Sequence, residues 1–592
     1  MARQTWAWIG AGLGAVALVW GQSASGGALA AQWWTNVPTE SGKRVQSEGA
    51  VLRLSGAVDG KDVRVCQAKG TALNGSFLYQ ADWKLEAVSS EKGWQGARAY
   101  VELLDGAGVA LPGKDGRLQV LQARGDHDWQ DLDLLVEPPA AAKQARACVE
   151  LVGTTAGTLS ARRLGIKPLD RSGPGAGKNV LVIVVDTLRA DAVGVWGQKL
   201  PVSPRMDGFG RQSQVWERSW TQYTWTVPST ISLFNAQYAR THNWDSTYAK
   251  VAAGDFTEMP ASPDVLAEVL KDKGYLNTSH YANALLKPKI GLNRGFQTWK
   301  HGTDDEVATR AAADIARWDS DGMPNFLYAH FMAPHAPLKP SAAAIKAAGL
   351  TTPVPDGGFK AYKQSGSTLA EADYNLAYKQ AYMAMVYDAD VLVGRVLDAL
   401  KKAGHDDDTL VVLTADHGEM LGEHGHVGHG SFVNEGLTWI PLAVRVPGKA
   451  GARIGDRVGQ SIDVAPTVLD WLDLEAGQPK TWQGASLLKS GKGGLVVSER
   501  DSLTAFIVDG KTKLIEGRAK AEHRNAYDLA ADAGEEKPLS ASAAAVQALH
   551  QQGLGWRSGT PQGTPAGRVA VKQTKTEADE TVEQLKALGY VE

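Results

Sequence analysis

Cysteine is almost absent: the 592 residues contain two, Cys66 and Cys148. No thiol can therefore serve in the hydroxyl-rich segment TWTVPSTISLF, residues 224–234, where a polar loop ending in Pro228-Ser229 runs into an apolar, helix-like stretch. Charge imbalance is lacking as well. With 62 basic and 65 acidic residues the net charge is −3, and nothing marks a nucleic-acid binder. No internal repeat is visible. Nor is there an apolar run of membrane-spanning length. The N-terminal run Trp6–Trp20 would reach roughly 22 Å as a helix, against ~30 Å of hydrocarbon.

That run follows one Arg and precedes small residues ending Ala28-Leu29-Ala30-Ala31, the pattern of a secretory signal with an A-x-A cleavage site. A cleaved signal over residues 1–31 is expected, which places the protein in the periplasm or outside the cell. An uncleaved anchor continuing through Ala31 is the alternative, and only then would the chain meet a membrane. No Cys follows the run, so there is no lipoprotein attachment site. In an exported chain the isolated cysteine pair reads as a disulfide, contributing ~4 kcal/mol through the long loop it closes. Two reduced buried thiols are the other reading.

What is abundant is tryptophan, 19 residues, many of them before residue 230. Trp offers flat apolar area and one N–H donor, suited to sugar faces and equally to core packing. Residues 32–170 show short alternating stretches such as Arg98–Leu104 and Ala147–Val152 between Gly, Asp and Pro turns. Period-two alternation at this spacing argues a β-sandwich. The pattern resembles jelly-roll modules, for which a structural accessory role stands ahead of sugar binding. RSGPGAGK, residues 171–178, is a linker.

Beyond it the pattern changes. Asn179–Val185, Phe326–Phe331 and Leu410–Thr414 are continuous apolar runs, expected as strands buried on both faces. Ser262-Pro263-Asp264 carries helix-start chemistry and Gly274 a stop, and Asp373–Lys402 is a long amphipathic helix. Strands alternating with helices indicate a doubly wound α/β domain over residues 179–592. A small antiparallel sheet near 500–530 and a C-terminal helix are expected to follow. The polar, Gly-rich stretch 552–578 reads as mobile.

Ligands gather at the carboxyl ends of strands in such sheets. Two of the apolar strands run into acids there: Asp186, and Asp416-His417 within TADHGEMLGEHGHVGHG. A carboxylate and an imidazole side by side, with glycines around them, can converge on one divalent cation. The competing readings are a turn-capping Asp and a solvated His-rich loop.

The segments NVLVIVVDTLRADAVGVWG, WTVPSTISLF, FLYAHFMAPHAPL, TADHGEMLGEHGHVGHG, IPLAVRVPG, SIDVAPTVLDWL and LKALGYVE occur in the order found in sulfatases of the alkaline-phosphatase superfamily. The chain resembles that family over residues 178–592. The resemblance implies an alkaline-phosphatase-like fold, an anionic ester substrate that is carbohydrate- or lipid-linked, and a metal shell of Asp186, Asp416 and His417 completed by Thr226. Mn²⁺, Mg²⁺ or Ca²⁺ suits one such site. Zn²⁺ suits a two-metal site that also uses His330, His335 and His429. His335 matches a residue holding the ester oxygens. His429 aligns with the group that protonates the leaving oxygen, work that suits an imidazole near its ordinary pKa of about 6.5.

The chain also departs from the family. Sulfatases carry C-x-P-S-R where this chain has Thr226-Val227-Pro228-Ser229-Thr230. The family's Cys, or Ser, becomes formylglycine, but Thr226 cannot become an aldehyde because its carbinol carbon bears a methyl group. A Thr hydroxyl at a helix start is either a cap or an activated nucleophile, and the flanks favour the nucleophile. A Thr ester has no C–O exit, so water or an alcohol must attack the central atom, which favours phosphoryl over sulfuryl chemistry. Thr187 replaces a second Asp, and Asn283 lies where many sulfatases place Lys. Arg240 or His242 is expected to compensate. The rival from another class is an inactive remnant with a glycan-binding sandwich.

Overall fold

The computed structural model of the protein describes residues 33–35, 45–48, 51–55, 62–168 (apart from 76, 90–95, 113–116, 124, 133, 137 and 154–155), 177–244, 255–262, 264–318, 323–351, 371–489, 494–500, 502–517, 524–560, 562–563 and 570–572. The expected signal segment, most of the linker and the closing LKALGYVE lie outside these residues. The chain divides into two compact units, Met1–Asp170 and Arg171–Glu592.

In the first unit two six-stranded sheets enclose one apolar core that includes Val65, Trp83, Leu85, Val149, Leu151 and Leu159. The alternation noted above falls on the strands Gly96–Leu104 and Gln144–Val152. The strand Phe77–Ser89 buries every second residue along much of its length, as one wetted and one packed face require. Cys66 and Cys148 stand directly opposite each other on antiparallel strands and are joined as a disulfide, with Tyr100 packed beside them.

In the second unit an eight-stranded sheet runs in the order Thr298–His301, Leu276–Tyr281, Asn325–Phe331, Asn179–Val185, Thr409–Thr414, Leu442–Arg445, Gln214–Trp216, Ala452–Ile454. The first five strands are parallel, and Leu442–Arg445 pairs antiparallel with Thr409–Thr414. Asn179–Val185 lies at the centre and is wholly buried. Its residues divide by parity: Val180, Val182 and Val184 face one core and Leu181, Ile183 and Val185 the other. Helices cover both faces. Thr226–Asn235 and Val464–Trp471 pack in the first core, and Asp304–Ile315 and Glu371–Ala403 in the second.

Two expected boundaries move. The helix placed at Ser262–Asp264 begins instead at Leu266, where the Glu268 carboxylate accepts the Val265 N–H at 3.0 Å. Gly274, at φ +86°, follows its end as expected. The C-terminal helix Ala544–Gly559 overruns the start of the stretch read as mobile, because Val546, Leu549 and Trp556 pack in one cluster with Phe506 and Leu514 of the small sheet. That sheet has four strands, from Val496–Arg500 to Asn525–Asp528. Among the described residues no helix is long and apolar enough to cross a membrane.

Candidate active site

Four adjacent parallel strands deliver their carboxyl ends to one place. Asp186 follows Asn179–Val185, Asn283 lies just beyond Leu276–Tyr281, His330 sits near the end of Asn325–Phe331, and Asp416-His417 follow Thr409–Thr414. Register places His330 beside Val184, on the face that Tyr328 shares with Val182. The helix Thr226–Asn235 packs against this same face through Val227, Ile231 and Phe234, and its first residue reaches the strand ends.

The three hydroxyls of that helix start divide the work. Ser229 Oγ is placed to donate to the carbonyls of Tyr223 and Trp225 at 2.8 and 2.9 Å, and so ties down the entering backbone. Thr230, where the family has Arg, is buried beside Tyr328. Thr226 does not cap the helix. Trp225 holds the cap position with extended backbone and no side-chain cap bond, and Thr226 is the first helical residue. Its Oγ1 lies 3.5 Å from Asp186 Oδ2, 3.4 Å from His417 Nε2 and 3.2 Å from Asn283 Nδ2. The helix dipole favours negative charge at this end.

The hydrogen bonds fix which atoms face inward. His417 Nδ1 meets the Gly418 carbonyl at 2.9 Å. A carbonyl only accepts, so Nδ1 carries the proton and the Nε2 lone pair points at Thr226 and, at 3.4 Å, Asp416 Oδ2. Asp416 Oδ1 is held by the backbone N–H groups of Thr187 and His417 at 3.2 and 2.8 Å. Asp186 Oδ2 accepts from Asn283 at 2.6 Å and from His330 Nε2 at 3.2 Å, while Tyr328 holds His330 Nδ1 at 2.8 Å. Against a carboxylate, His330 Nε2 must carry a proton. It therefore orients Asp186 as a donor, which is more than the core packing the strand pattern alone would assign it.

Around this centre stand three imidazoles. The His429 ring lies 4.6 Å from that of His417 and 4.9 Å from that of His335, centroid to centroid. His335 directs Nδ1 at the Ala336 carbonyl, and His429 directs Nδ1 at the Glu419 carboxylate, 3.1 Å away. Burial lowers the His335 and His417 pKa values. Burial, with Arg500 adding repulsion, pushes His429 down to about 4. The nearby Asp186 charge opposes that shift, which runs below the ordinary imidazole value the resemblance calls for. Burial also pushes Glu419 up to about 7. Glu419 escaped the sequence reading, although it stands two residues after His417.

Other expectations are corrected too. His242 is occupied at both ring nitrogens, by Ser232 Oγ at 3.1 Å and the Trp244 N–H at 3.2 Å. Arg240 Nε donates to the Thr560 carbonyl at 3.2 Å. Neither bonds to Asp186, Thr226, Asp416 or His417 in these contacts, because the short helix Ala239–His242 turns them elsewhere. Among the described residues, the group of close ligating atoms at the strand ends comprises Asp186, His330 and Asp416, and His335, His417 and His429 lie outside it.

Residues 178–474, about half of the chain, match the family described as Sulfatase. The chain belongs to the sulfatase family. One relative, the multifunctional alkaline phosphatase superfamily protein PehA of Trinickia caryophylli, is 32% identical over 196 residues, which is 28% of this chain and only 37% of that protein. Iduronate 2-sulfatase of Mus musculus is 23% identical over 425 residues, 59% of this chain and 74% of that protein. The solved structure of a phosphonate monoester hydrolase from Agrobacterium radiobacter shares the fold at TM-score 0.51 and 19% identity, covering 67% of this chain and 100% of that one.

Sulfatase-family enzymes bind a divalent metal, and the residues here fit one. Asp186, His330 and Asp416 bring carboxylate oxygens and an imidazole nitrogen within 4.8 Å of one another, and with His330 Nε2 donating to Asp186 the two carboxylates are the ligands this group offers. Asp186 Oδ1 and Asp416 Oδ2 are buried with no hydrogen-bond partner among the described residues. Two carboxylates this close cannot both be charged without a counter-charge. Burial alone would raise Asp186, but the His330 hydrogen bond and the surrounding imidazoles hold it well below the usual carboxylate range. Burial and then Asp186 push Asp416 up to about 7. Burial and the Asp186 charge thus make the Asp416 carboxyl hold its proton far more tightly than an ordinary carboxylate, and a cation can take that proton's place.

Proposed function

We propose that the protein is an exported, metal-dependent ester hydrolase or transferase that cleaves a phosphate, phosphodiester or sulfate ester through a covalent Thr226 intermediate, with phosphoryl chemistry favoured. The observation that carries this reading is the position of Thr226 Oγ1, at a helix start and within 3.5 Å of Asp186, Asn283 and His417 together. A divalent cation held by Asp186, Asp416, His417 and Thr226 would supply Lewis acidity to the hydroxyl and positive charge to the ester oxygens.

The residues themselves do the rest. Asn283 donates to Oγ1, which turns the Thr226 proton towards Asp186 Oδ2 or His417 Nε2, the two acceptors in reach. Oγ1 attacks the central atom, a bond to Oγ1 forms, and the bond to the substrate's alcohol oxygen breaks, that oxygen leaving as the alcohol with the proton Thr226 gave up. Water or a second alcohol then attacks the same atom and Thr226 regains its proton. His429 relays the Thr226 proton to the leaving oxygen, and in the second half-reaction it takes a proton from the incoming nucleophile and returns it to Thr226. His335 faces the substrate oxygens. The methyl on the Thr226 carbinol carbon blocks the aldehyde route, so both half-reactions are displacements at one centre, which phosphorus undergoes readily. The relatives carry both sulfatase and phosphonate hydrolase names, which supports an anionic ester of either element. The substrate is carbohydrate- or lipid-linked and not a nucleic acid, the two-sheet N-terminal unit is a jelly-roll-like accessory, and the protein is periplasmic or extracellular.

The test offers the metal-loaded protein p-nitrophenyl phosphate, bis-p-nitrophenyl phosphate and p-nitrophenyl sulfate, followed by acid quench and peptide mass spectrometry. Phosphoryl or sulfuryl mass on Thr226 is expected. Undiminished turnover by Thr226→Ala would overturn the reading.

A further inference from the structure

Both residues that would give a sulfatase-family site its positive contacts to the ester are uncharged here, Thr230 and Asn283. We propose that Arg500, from the small C-terminal sheet, binds the non-bridging oxygens of the tetrahedral anion; this rests on the ester-cleaving reading above.

Arg500 ends the strand Val496–Arg500 and is only 8% exposed. That strand is fastened to the segment entering the Thr226 helix. Glu499 N–H donates to the Gln222 carbonyl at 2.9 Å, Ser498 Oγ donates to the Thr221 carbonyl, and Tyr223 pairs with Glu499 as a parallel bridge. The guanidinium carbon then lies 5.6 Å from the centre of the Tyr223 ring and 5.9 Å from that of Trp225, the residue immediately before Thr226. A Cβ placed on Gly430 would stand 3.7 Å from Arg500 Nη2, and Gly430 adjoins His429 in sequence. The cation thus lies near Tyr223, Trp225 and Gly430, the last two next in sequence to Thr226 and His429.

Two aromatic faces hold the planar group in place, as cation–π contacts do, and a fixed fork suits bidentate binding of two oxygens of one tetrahedral anion. A purely structural Arg in the same place would only pack the small sheet onto Trp225. Binding of an anion separates the two roles.

Orthophosphate binding is measured by calorimetry on the metal-loaded wild type, Arg500→Lys and Arg500→Gln, with melting temperatures and KM and kcat on p-nitrophenyl phosphate alongside. The charge-assisted contact predicts about 10- to 100-fold weaker orthophosphate binding and a raised KM in Arg500→Gln. Arg500→Lys should recover part of both, with melting temperatures near wild type. Wild-type phosphate affinity in Arg500→Gln would overturn the proposal. Should that variant not fold, wild-type affinity and KM in Arg500→Lys would overturn it equally, because Lys lacks the fork. A wild type that binds neither orthophosphate nor sulfate would sink the ester-cleaving reading, and this inference with it.

Discussion

The Asn283 side-chain amide donates to Asp186 Oδ2 at 2.6 Å and, through the same nitrogen, lies 3.2 Å from Thr226 Oγ1. A neutral donor thus bridges the carboxylate and the hydroxyl where the family resemblance anticipates a cation. Its other end is pinned, since Oδ1 accepts the Leu285 N–H at 2.9 Å. Asn283→Ala should lower kcat about 10- to 100-fold, by the loss of a hydrogen bond to a charged group. Metal content, read by elemental analysis, should stay at the wild-type level, because Asn283 supplies no ligand.

Thr226→Ser keeps the hydroxyl and should retain measurable turnover. Thr226→Ala should reduce kcat by at least ~10³-fold. The removed atoms contribute no cap bond, so the thermal midpoint should stay within a few degrees of wild type. Steady-state kinetics and a calorimetric melt decide the matter together.

Chelation should destabilise the protein. Asp186 Oδ1 and Asp416 Oδ2 are buried with no partner among the described residues. A cation present at 100 times its dissociation constant would add about 2.7 kcal/mol of stability. The melting temperature should fall on chelation and recover on adding Mn²⁺, Mg²⁺ or Ca²⁺. Asp416→Ala should abolish this response and lower the bound metal.

Asp463, which is not among the proposed metal ligands, gives a further pH dependence. Burial pushes its carboxyl up to about 7, against the N–H donors of Ala485 and Gln460 at 2.9 and 3.0 Å. The folded state therefore holds a proton that the unfolded chain releases above its ordinary pKa. Stability from this group is full below about pH 4 and is lost as pH rises towards 7, by up to about 1.4 kcal/mol per pH unit. Between pH 5 and pH 8 the stability difference should shift in favour of Asp463→Asn over wild type, as read by chemical denaturation at both pH values.

In the first unit, the Cys66–Cys148 bridge spans 82 positions of sequence. Its removal by Cys66→Ser with Cys148→Ser should cost about 4 kcal/mol, chiefly by releasing the unfolded chain. Denaturation of the isolated transition of this unit, followed with and without reductant, measures it.

Much of this architecture is written locally. The runs Asn179–Val185, Asn325–Phe331 and Thr409–Thr414 are apolar on both faces because each is flanked by two strands and covered on both sides, and a one-dimensional pattern records burial well. Asp186, Asp416, His417 and Thr226 stood out for the same reason: polar residues directly after or before apolar elements are conspicuous. Asn283, Glu419 and Arg500 carry no such mark. Asn283 joins the site because Leu276–Tyr281 lies two strands from Asn179–Val185, and Arg500 is brought to Trp225 because a distant sheet docks on Gln222 and Tyr223. Periodicity tells which side of an element is buried. Strand order, register and docking decide which side chains become neighbours across it, and those are set by the packing of segments hundreds of residues apart.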